Sequence, residues 1–207
     1  MQILIDQLGK RFNREWIFRK FSHQLQAGQS YTFVGPNGSG KSTVLQVISG
    51  VMPLSEGKIV YHFENQDIEE DKWYKHLVMA APYLELIEEF TLTELLDFHE
   101  GFKPFKSTTS KVAIIEQLEL TASKDKAIKY FSSGMKQRLK LALAFYSDVP
   151  VVMLDEPTSN LDAKWSAWYR TEVQQLSSNQ ILLICSNVTA EYDFCDTIIN
   201  VSDFKPV

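Results

Sequence analysis

Apolar positions along this chain fall into short runs with two periods. Alternation of period two marks strands, because successive side chains of an extended chain point to opposite faces. Recurrence at three and four marks one face of a helix. Residues 1–6 alternate and predict a first strand, and the aromatic, β-branched stretch 16–25 (WIFRKFSHQL) a second. Ala27 and Gly28 turn the chain into 30–34 (SYTFV), a short apolar strand. A glycine-rich loop over 35–40 follows, then a helix over 41–49 with Val44, Leu45 and Ile48 on one face. Gly50, Pro53 and Gly57 punctuate the connection to a strand at 58–63 (KIVYHF). Residues 65–71 read as a polar, acidic loop, and 76–80 as another short strand.

From Thr91 to Leu120 the period is helical. Leu92, Leu95, Leu96 and Phe98 form one apolar stripe, and Val112, Ile115, Leu118 and Leu120 a second, with a loop over 102–109 between them. Ser132 or Ser133 caps a helix that runs through Tyr146. The runs VVML (151–154) and ILLIC (181–185) are continuously apolar, as strands of a parallel sheet buried on both faces require. A helix over 163–176 separates them, and 197–201 supplies a last strand. Strands alternating with helices predict an α/β fold with a mostly parallel core sheet. The block without strands, about 83–131, reads as a helical insertion between the parts 1–82 and 132–207 of a single domain.

At 207 residues the chain is long enough for one large domain with a substantial core. A net charge of −5 offers no basic field, so nucleic acid is not expected as a partner. The two cysteines, Cys185 and Cys195, have no metal-binding spacing and read as buried thiols in a reducing compartment. The opening MQILIDQLGKRF has too short an apolar run for a signal peptide. No run approaches the roughly 18 apolar residues of a membrane span, so a transport role needs a separate pore-forming chain.

The segment Gly35-Pro36-Asn37-Gly38-Ser39-Gly40-Lys41-Ser42-Thr43 fits GxxxxGK(S/T) between a predicted strand and a predicted helix. Glycines let such a loop curl until its N–H groups converge on phosphate oxygens, and the helix N-terminus adds partial positive charge. Lys41 is then placed for the β- and γ-phosphates, and the Ser42 hydroxyl for Mg²⁺. Asp155 and Glu156 follow the apolar run 151–154. Asp155 fits a metal carboxylate at a strand end, and Glu156 a group that orients or deprotonates water.

Two further segments carry a family resemblance. Glu156-Pro157-Thr158-Ser159-Asn160-Leu161-Asp162 resembles the stretch joining the second Walker motif to the D-loop of ABC-type ATPases. Phe131-Ser132-Ser133-Gly134-Met135-Lys136-Gln137-Arg138 resembles their signature motif. The motifs stand in the family's order and span essentially the whole chain. The resemblance implies a P-loop fold of ABC type, with an antiparallel N-terminal β subdomain and an inserted helical subdomain. It implies two subunits, alike or different, that sandwich two Mg-ATP. Each ATP lies between one subunit's phosphate loop and the other's Ser132, Ser133 and Gly134. Phe12, within Lys10-Arg11-Phe12-Asn13, matches the aromatic that stacks on adenine, and Trp16 is its substitute.

The chain departs from the family at two catalytic positions. Tyr83 stands where a Gln usually reaches the metal and water; Gln66 and Gln117 lie outside that loop. Asn187 stands where a His is usual, and His23, His62, His76 and His99 all precede Asp155. Asn donates a hydrogen bond but carries no proton or charge. These departures predict intact ATP binding and slow turnover.

The resemblance also implies a transporter ATPase held at the inner membrane face by a separate permease, with export suggested by the small single domain. Phe90, Phe98, Phe102 and Phe105 are candidates for a docking groove, or for core packing, and Glu85, Glu88 and Glu89 for contacts with basic partner residues. Alternatives remain: a soluble ABC ATPase, a small-molecule kinase, or a nucleotide-gated structural module.

Overall fold

The computed structural model describes residues 1–176 and 179–205. Its strands are Gln2–Phe12 (β1), Glu15–Gln26 (β2), Ser30–Val34 (β3), Glu56–Phe63 (β4), Gln66–Ile68 (β5), Leu77–Ala80 (β6), Val151–Asp155 (β7), Ile181–Cys185 (β8) and Thr197–Asn200 (β9). Its α-helices are Lys41–Ile48 (α1), Leu92–Phe102 (α2), Lys111–Gln117 (α3), Ser133–Tyr146 (α4) and Ala163–Gln174 (α5). β2-β1-β4-β5 form an antiparallel sheet, and β6-β7-β8-β3-β9 a parallel one. This is the α/β architecture that the apolar patterning and the motif resemblance predict.

The central strands β7 and β8 are buried on both faces because residues 151–154 and 181–185 are continuously apolar. In β7, Val151 and Met153 join a core with α1 and the antiparallel sheet, while Val152 and Leu154 join the core under α4 and α5. β8 divides the same way, with Ile181, Leu183 and Cys185 on the first face and Leu182 and Ile184 on the second. Each strand therefore secures two layers, and a polar residue within either would lack a partner.

The strand order positions the site. Ligands of open parallel sheets bind beyond the carboxyl ends of the strands. Those ends lead to Tyr83 after β6, Asp155 and Glu156 at β7, Asn187 after β8 and the glycine loop after β3. Segments far apart in sequence thus form one row.

Several expectations change. β1 does not stop at residue 6 but runs to Phe12 through bulges, with Gln7 at φ +47° and its N–H bonded to Ser22 Oγ at 2.8 Å. The side chain of Ser22 replaces a lost ladder partner, so the strand survives a break in alternation. Residues 65–71 are not a plain loop. Glu64 and Asn65, both at positive φ, form a two-residue turn that pairs Phe63 with Gln66 and starts β5. Val112 is 64% exposed and Ile114 takes its inward place, because the Ser110 cap sets the phase of a short helix. Phe98 is 45% exposed at the edge of its stripe, whereas Thr91 and Glu94 form a capping box that turns Leu92, Leu95 and Leu96 inward. Cys185 is buried, but Cys195 is only partly so.

Candidate functional site

The glycine loop curls because three of its residues adopt backbone angles that L side chains avoid. Gly35, Gly38 and Gly40 have φ of +144°, +79° and +103°. A Cβ at Gly40 would stand 2.4 Å from Ile17 Cγ2, so only glycine lets α1 start against β2. A Cβ at Gly38 would meet nothing within 4 Å, and this open side belongs to the cradle. A cavity of about 280 Å³ lies there, lined by Asn37, Gly38, Gly40, Lys41, Ser42, Thr43, Ile17 and Glu156. Pro36 and Ser39 complete the loop, Ser39 N–H donating to the Pro36 carbonyl at 3.0 Å. The Lys41 ammonium is nearly buried and donates to the carbonyls of Gly35 at 2.8 Å and Pro36 at 3.3 Å.

Asp155 is 1% exposed, and among the described residues neither carboxylate oxygen accepts a hydrogen bond of normal length. Burial pushes its pKa up, opposed by the nearby hydroxyls of Ser42 and Tyr83 and by Lys41. An unpartnered buried carboxylate is costly unless a cation completes it. With the Ser42 hydroxyl facing it, the pair fits a divalent ion such as Mg²⁺.

Glu156 is exposed and holds a strained φ of +44°, fixed by its N–H donating to the Cys185 carbonyl at 2.9 Å. Such strain in a non-glycine residue costs about 1–3 kcal/mol and gathers at functional positions. Asn187 Nδ2 donates to Asn37 Oδ1 at 2.7 Å. Tyr83 is 43% exposed, and its hydroxyl approaches Met79 Sδ at 3.8 Å while facing Gln46 and Asp155. Gln46 lies one helical turn after Ser42, on the same face of α1, which the spacing alone does not mark as functional.

Phe12 lies at the hairpin end of β1, 45% exposed, with Lys10 Nζ 5.1 Å from its ring centre. It is not among the residues lining the 280 Å³ cavity; Ile17 is, and no sequence signal picked it out. The guanidinium groups of Arg19 and Arg11 stand over the Trp16 ring, at 4.5 and 5.6 Å from its centre. Trp16 already carries these cation contacts and, like Phe12, does not line the 280 Å³ cavity.

Ser132 caps α4, its Oγ accepting from Met135 N–H at 3.2 Å. Ser132 and Ser133 are exposed, and neither they nor Gly134 line the cavity at Lys41. A Cβ on Gly134 would sit 3.0 Å from the Asn160 carbonyl, so this glycine permits a close backbone approach.

A second cavity, about 270 Å³, lies in the helical block between Glu85, Leu86, Ile87, Leu95, Phe98 and Phe102. Phe90, Phe98 and Phe102 stand ring to ring, at 5.5 and 4.9 Å. Phe105 is instead buried against His99, and Glu88 is ion-paired with Lys136. No helix among the described residues is long and apolar enough to cross a membrane.

Residues 18–159 match the family described as ABC transporter. The uncharacterized ABC transporter ATP-binding protein YdbJ of Bacillus subtilis is 28% identical over 204 residues, covering 94% of this chain and 64% of that protein. The chain therefore spans under two thirds of that relative. The cytochrome c biogenesis ATP-binding export protein CcmA of Rhizobium johnstonii is 29% identical over 170 residues, 79% of this chain and 77% of its own. Among solved structures, the ATP-binding cassette MJ0796, a dimer in a post-hydrolysis state with ADP and Pi, superposes with a TM-score of 0.79. It shares 20% identity and covers 96% of this chain and 93% of its own.

Proposed function

The chain belongs to the ABC transporter family, as an ATP-binding part of it, and from that premise we propose that it binds and slowly hydrolyses ATP as one half of a dimer that drives a separate membrane permease. One observation carries this reading. The buried Asp155, with no hydrogen-bond partner of its own among the described residues, lies near Ser42 and Lys41 of the cradle, while Ser132, Ser133 and Gly134, the other phosphate-suited group, do not line the cavity there; this supports the reading of a shared site. A second copy, or a related subunit, brings its own α4 to the open side.

In this mechanism the loop amides and the α1 N-terminus hold the ATP phosphates. Lys41 exchanges the Gly35 and Pro36 carbonyls for phosphate oxygens, and Phe12 stacks on the adenine. Ser42 and Asp155 would hold Mg²⁺, which when bound would neutralise phosphate charge. Glu156 orients the attacking water and accepts its proton. Asn187 offers an amide donor to the terminal phosphate, without the charge an imidazolium would add. That difference makes turnover slow.

The helical block, residues 83–131, takes the permease through the groove at Phe98 and Phe102, whose exposed rings suit a short amphipathic helix. Peripheral attachment on the cytoplasmic face follows. Export is favoured by analogy with CcmA, whose name states it. A second reading, a module that binds ATP with little turnover, draws on the Asn187–Asn37 bond, which engages one of the two N–H donors of the amide that would serve the phosphate.

The test uses Glu156→Gln, light scattering and ATPase assays. The transporter reading expects Glu156→Gln to dimerise on Mg-ATP and to lose the wild-type turnover. A chain that binds ATP yet stays monomeric, alone and with its permease, would remove the dimer. Wild-type turnover no higher than that of Glu156→Gln would favour the second reading.

A further inference from the structure

Glu191 lies in the 3-10 turn Thr189–Glu191, just past Asn187, and is 3% exposed. Its Oε1 accepts from the Thr158 N–H at 2.9 Å and also from the Thr158 hydroxyl. Its carbonyl accepts from the Tyr169 hydroxyl of α5 at 2.8 Å. Oε2 is buried too, and accepts no hydrogen bond among the described residues. A buried carboxyl with one idle oxygen is an expensive way to cap a loop. What it does that an apolar residue could not is accept hydrogen bonds from both the N–H and the hydroxyl of Thr158.

Thr158 follows Glu156 closely in the loop that ends at the α5 cap, Asp162. That loop is gripped from its other side by α4. Gln137, 3% exposed, donates from Nε2 to the Pro157 carbonyl at 2.8 Å, and Gly134 meets the Asn160 carbonyl. The loop carrying Glu156 is therefore held between the start of α4 and the segment carrying Asn187.

We propose that Glu191 is a positioning residue for ATP hydrolysis, binding the Glu156 loop to the Asn187 segment so that both groups are placed at the phosphate as one unit. Glu191 is not itself at the cavity and touches no reacting atom. The proposal rests on the hydrolytic reading above. Misplacement of a catalytic group by about 1 Å can cost roughly 100-fold in rate.

The experiment measures steady-state ATPase and trinitrophenyl-ATP affinity for wild type, Glu191→Ala, Glu191→Gln, Thr158→Val and the Glu191→Ala/Thr158→Val double variant. Amide exchange at Thr158 is followed in each. Glu191→Ala should lower kcat by about 10- to 100-fold, and Thr158→Val, which keeps its N–H bond to Glu191 and loses only the hydroxyl one, by a smaller factor of about 3- to 10-fold, with affinity within about 2-fold of wild type. Glu191→Gln keeps an acceptor for Thr158 and should stay within about 3-fold. The double variant should be no slower than the slower single one, because groups acting as a unit are not additive. Faster Thr158 exchange in Glu191→Ala, but not in Glu191→Gln, completes the pattern. Thr158→Val keeps side-chain volume, so it reports even if Glu191→Ala does not fold. Wild-type kcat in Thr158→Val, multiplied losses in the double variant, or affinity falling in step with kcat would overturn the proposal alone. Wild-type turnover equal to that of Glu156→Gln would remove the hydrolytic reading and this proposal with it.

Discussion

Asn187 donates its side-chain amide to Asn37 Oδ1 at 2.7 Å, tying the segment after β8 to the glycine loop after β3. The two residues are 150 positions apart in sequence, and they meet because β8 pairs directly with β3.

That contact makes the first prediction. Asn187→His should raise ATPase kcat by about 10-fold or more, since a charged donor at a transferring phosphate is commonly worth orders of magnitude. ATP affinity should change little. Steady-state kinetics and equilibrium binding check both, and an unchanged kcat would remove Asn187 as the cause of the slow turnover proposed above.

Glycines in the cradle should separate folding from binding. Gly40→Ala places a Cβ 2.4 Å from Ile17 Cγ2 at φ +103°, so it should lose about 1–3 kcal/mol of stability along with nucleotide affinity. Gly38→Ala meets no atom within 4 Å, and its cost to folding is only the strain of φ +79°. It should mainly weaken ATP binding, because Gly38 lines the cavity at Lys41 and an added methyl group takes up space there. Urea denaturation beside ATP titration distinguishes them.

Tyr83 faces both Asp155 and Gln46. Its hydroxyl opposes the burial that raises the Asp155 pKa. Tyr83→Phe should therefore raise the Mg²⁺ concentration for half-maximal ATPase by about 10-fold, as loss of a metal ligand's outer partner commonly does. Tyr83→Gln, with an amide in place of the hydroxyl, should keep wild-type Mg²⁺ dependence or improve on it.

His99 makes stability depend on pH. Burial, aided by Lys103, lowers its pKa from 6.5 to about 4, and it bonds Ser147 Oγ at 2.7 Å. A depressed folded-state pKa means the unfolded chain binds the proton more readily. The stabilisation is therefore complete above about 6.5 and is lost as pH falls toward 4. Urea midpoints of wild type should drop more between pH 7 and pH 4.5 than those of His99→Gln, which lacks this titration.

Much of this molecule was legible in its residues. The continuous apolar runs at 151–154 and 181–185 fit strands buried on both faces, being too short for helices of ordinary length, and the alternation of strands and helices followed from periodicity. The loop 35–43 declared phosphate chemistry by itself, because glycine spacing before a helix fixes backbone angles locally. The cap at Ser132, one of two serines the sequence offered, is likewise local, made by a side chain and an amide three residues on, as are those the structure adds at Thr91, Ser110 and Asp162.

What spacing could not show are contacts set by strand order and helix phase. Val112 and Phe98 point outward because the phase of a short capped helix and the edge of a stripe are decided by what lies against them. Ile17, Gln46 and Glu191 carry no motif, yet the fold places them against Gly40, Tyr83 and Thr158. The sequence alone determined the phosphate loop, the acidic strand end and the α/β class, because those depend on neighbours along the chain. Only the tertiary structure decided that Asn187 meets Asn37, that Asp155 lacks a hydrogen-bond partner among the described residues, and that the start of α4 lies outside the cavity it resembles in chemistry. Those facts depend on which strands lie side by side, and a parallel sheet joins strands through crossovers whose order no local pattern records.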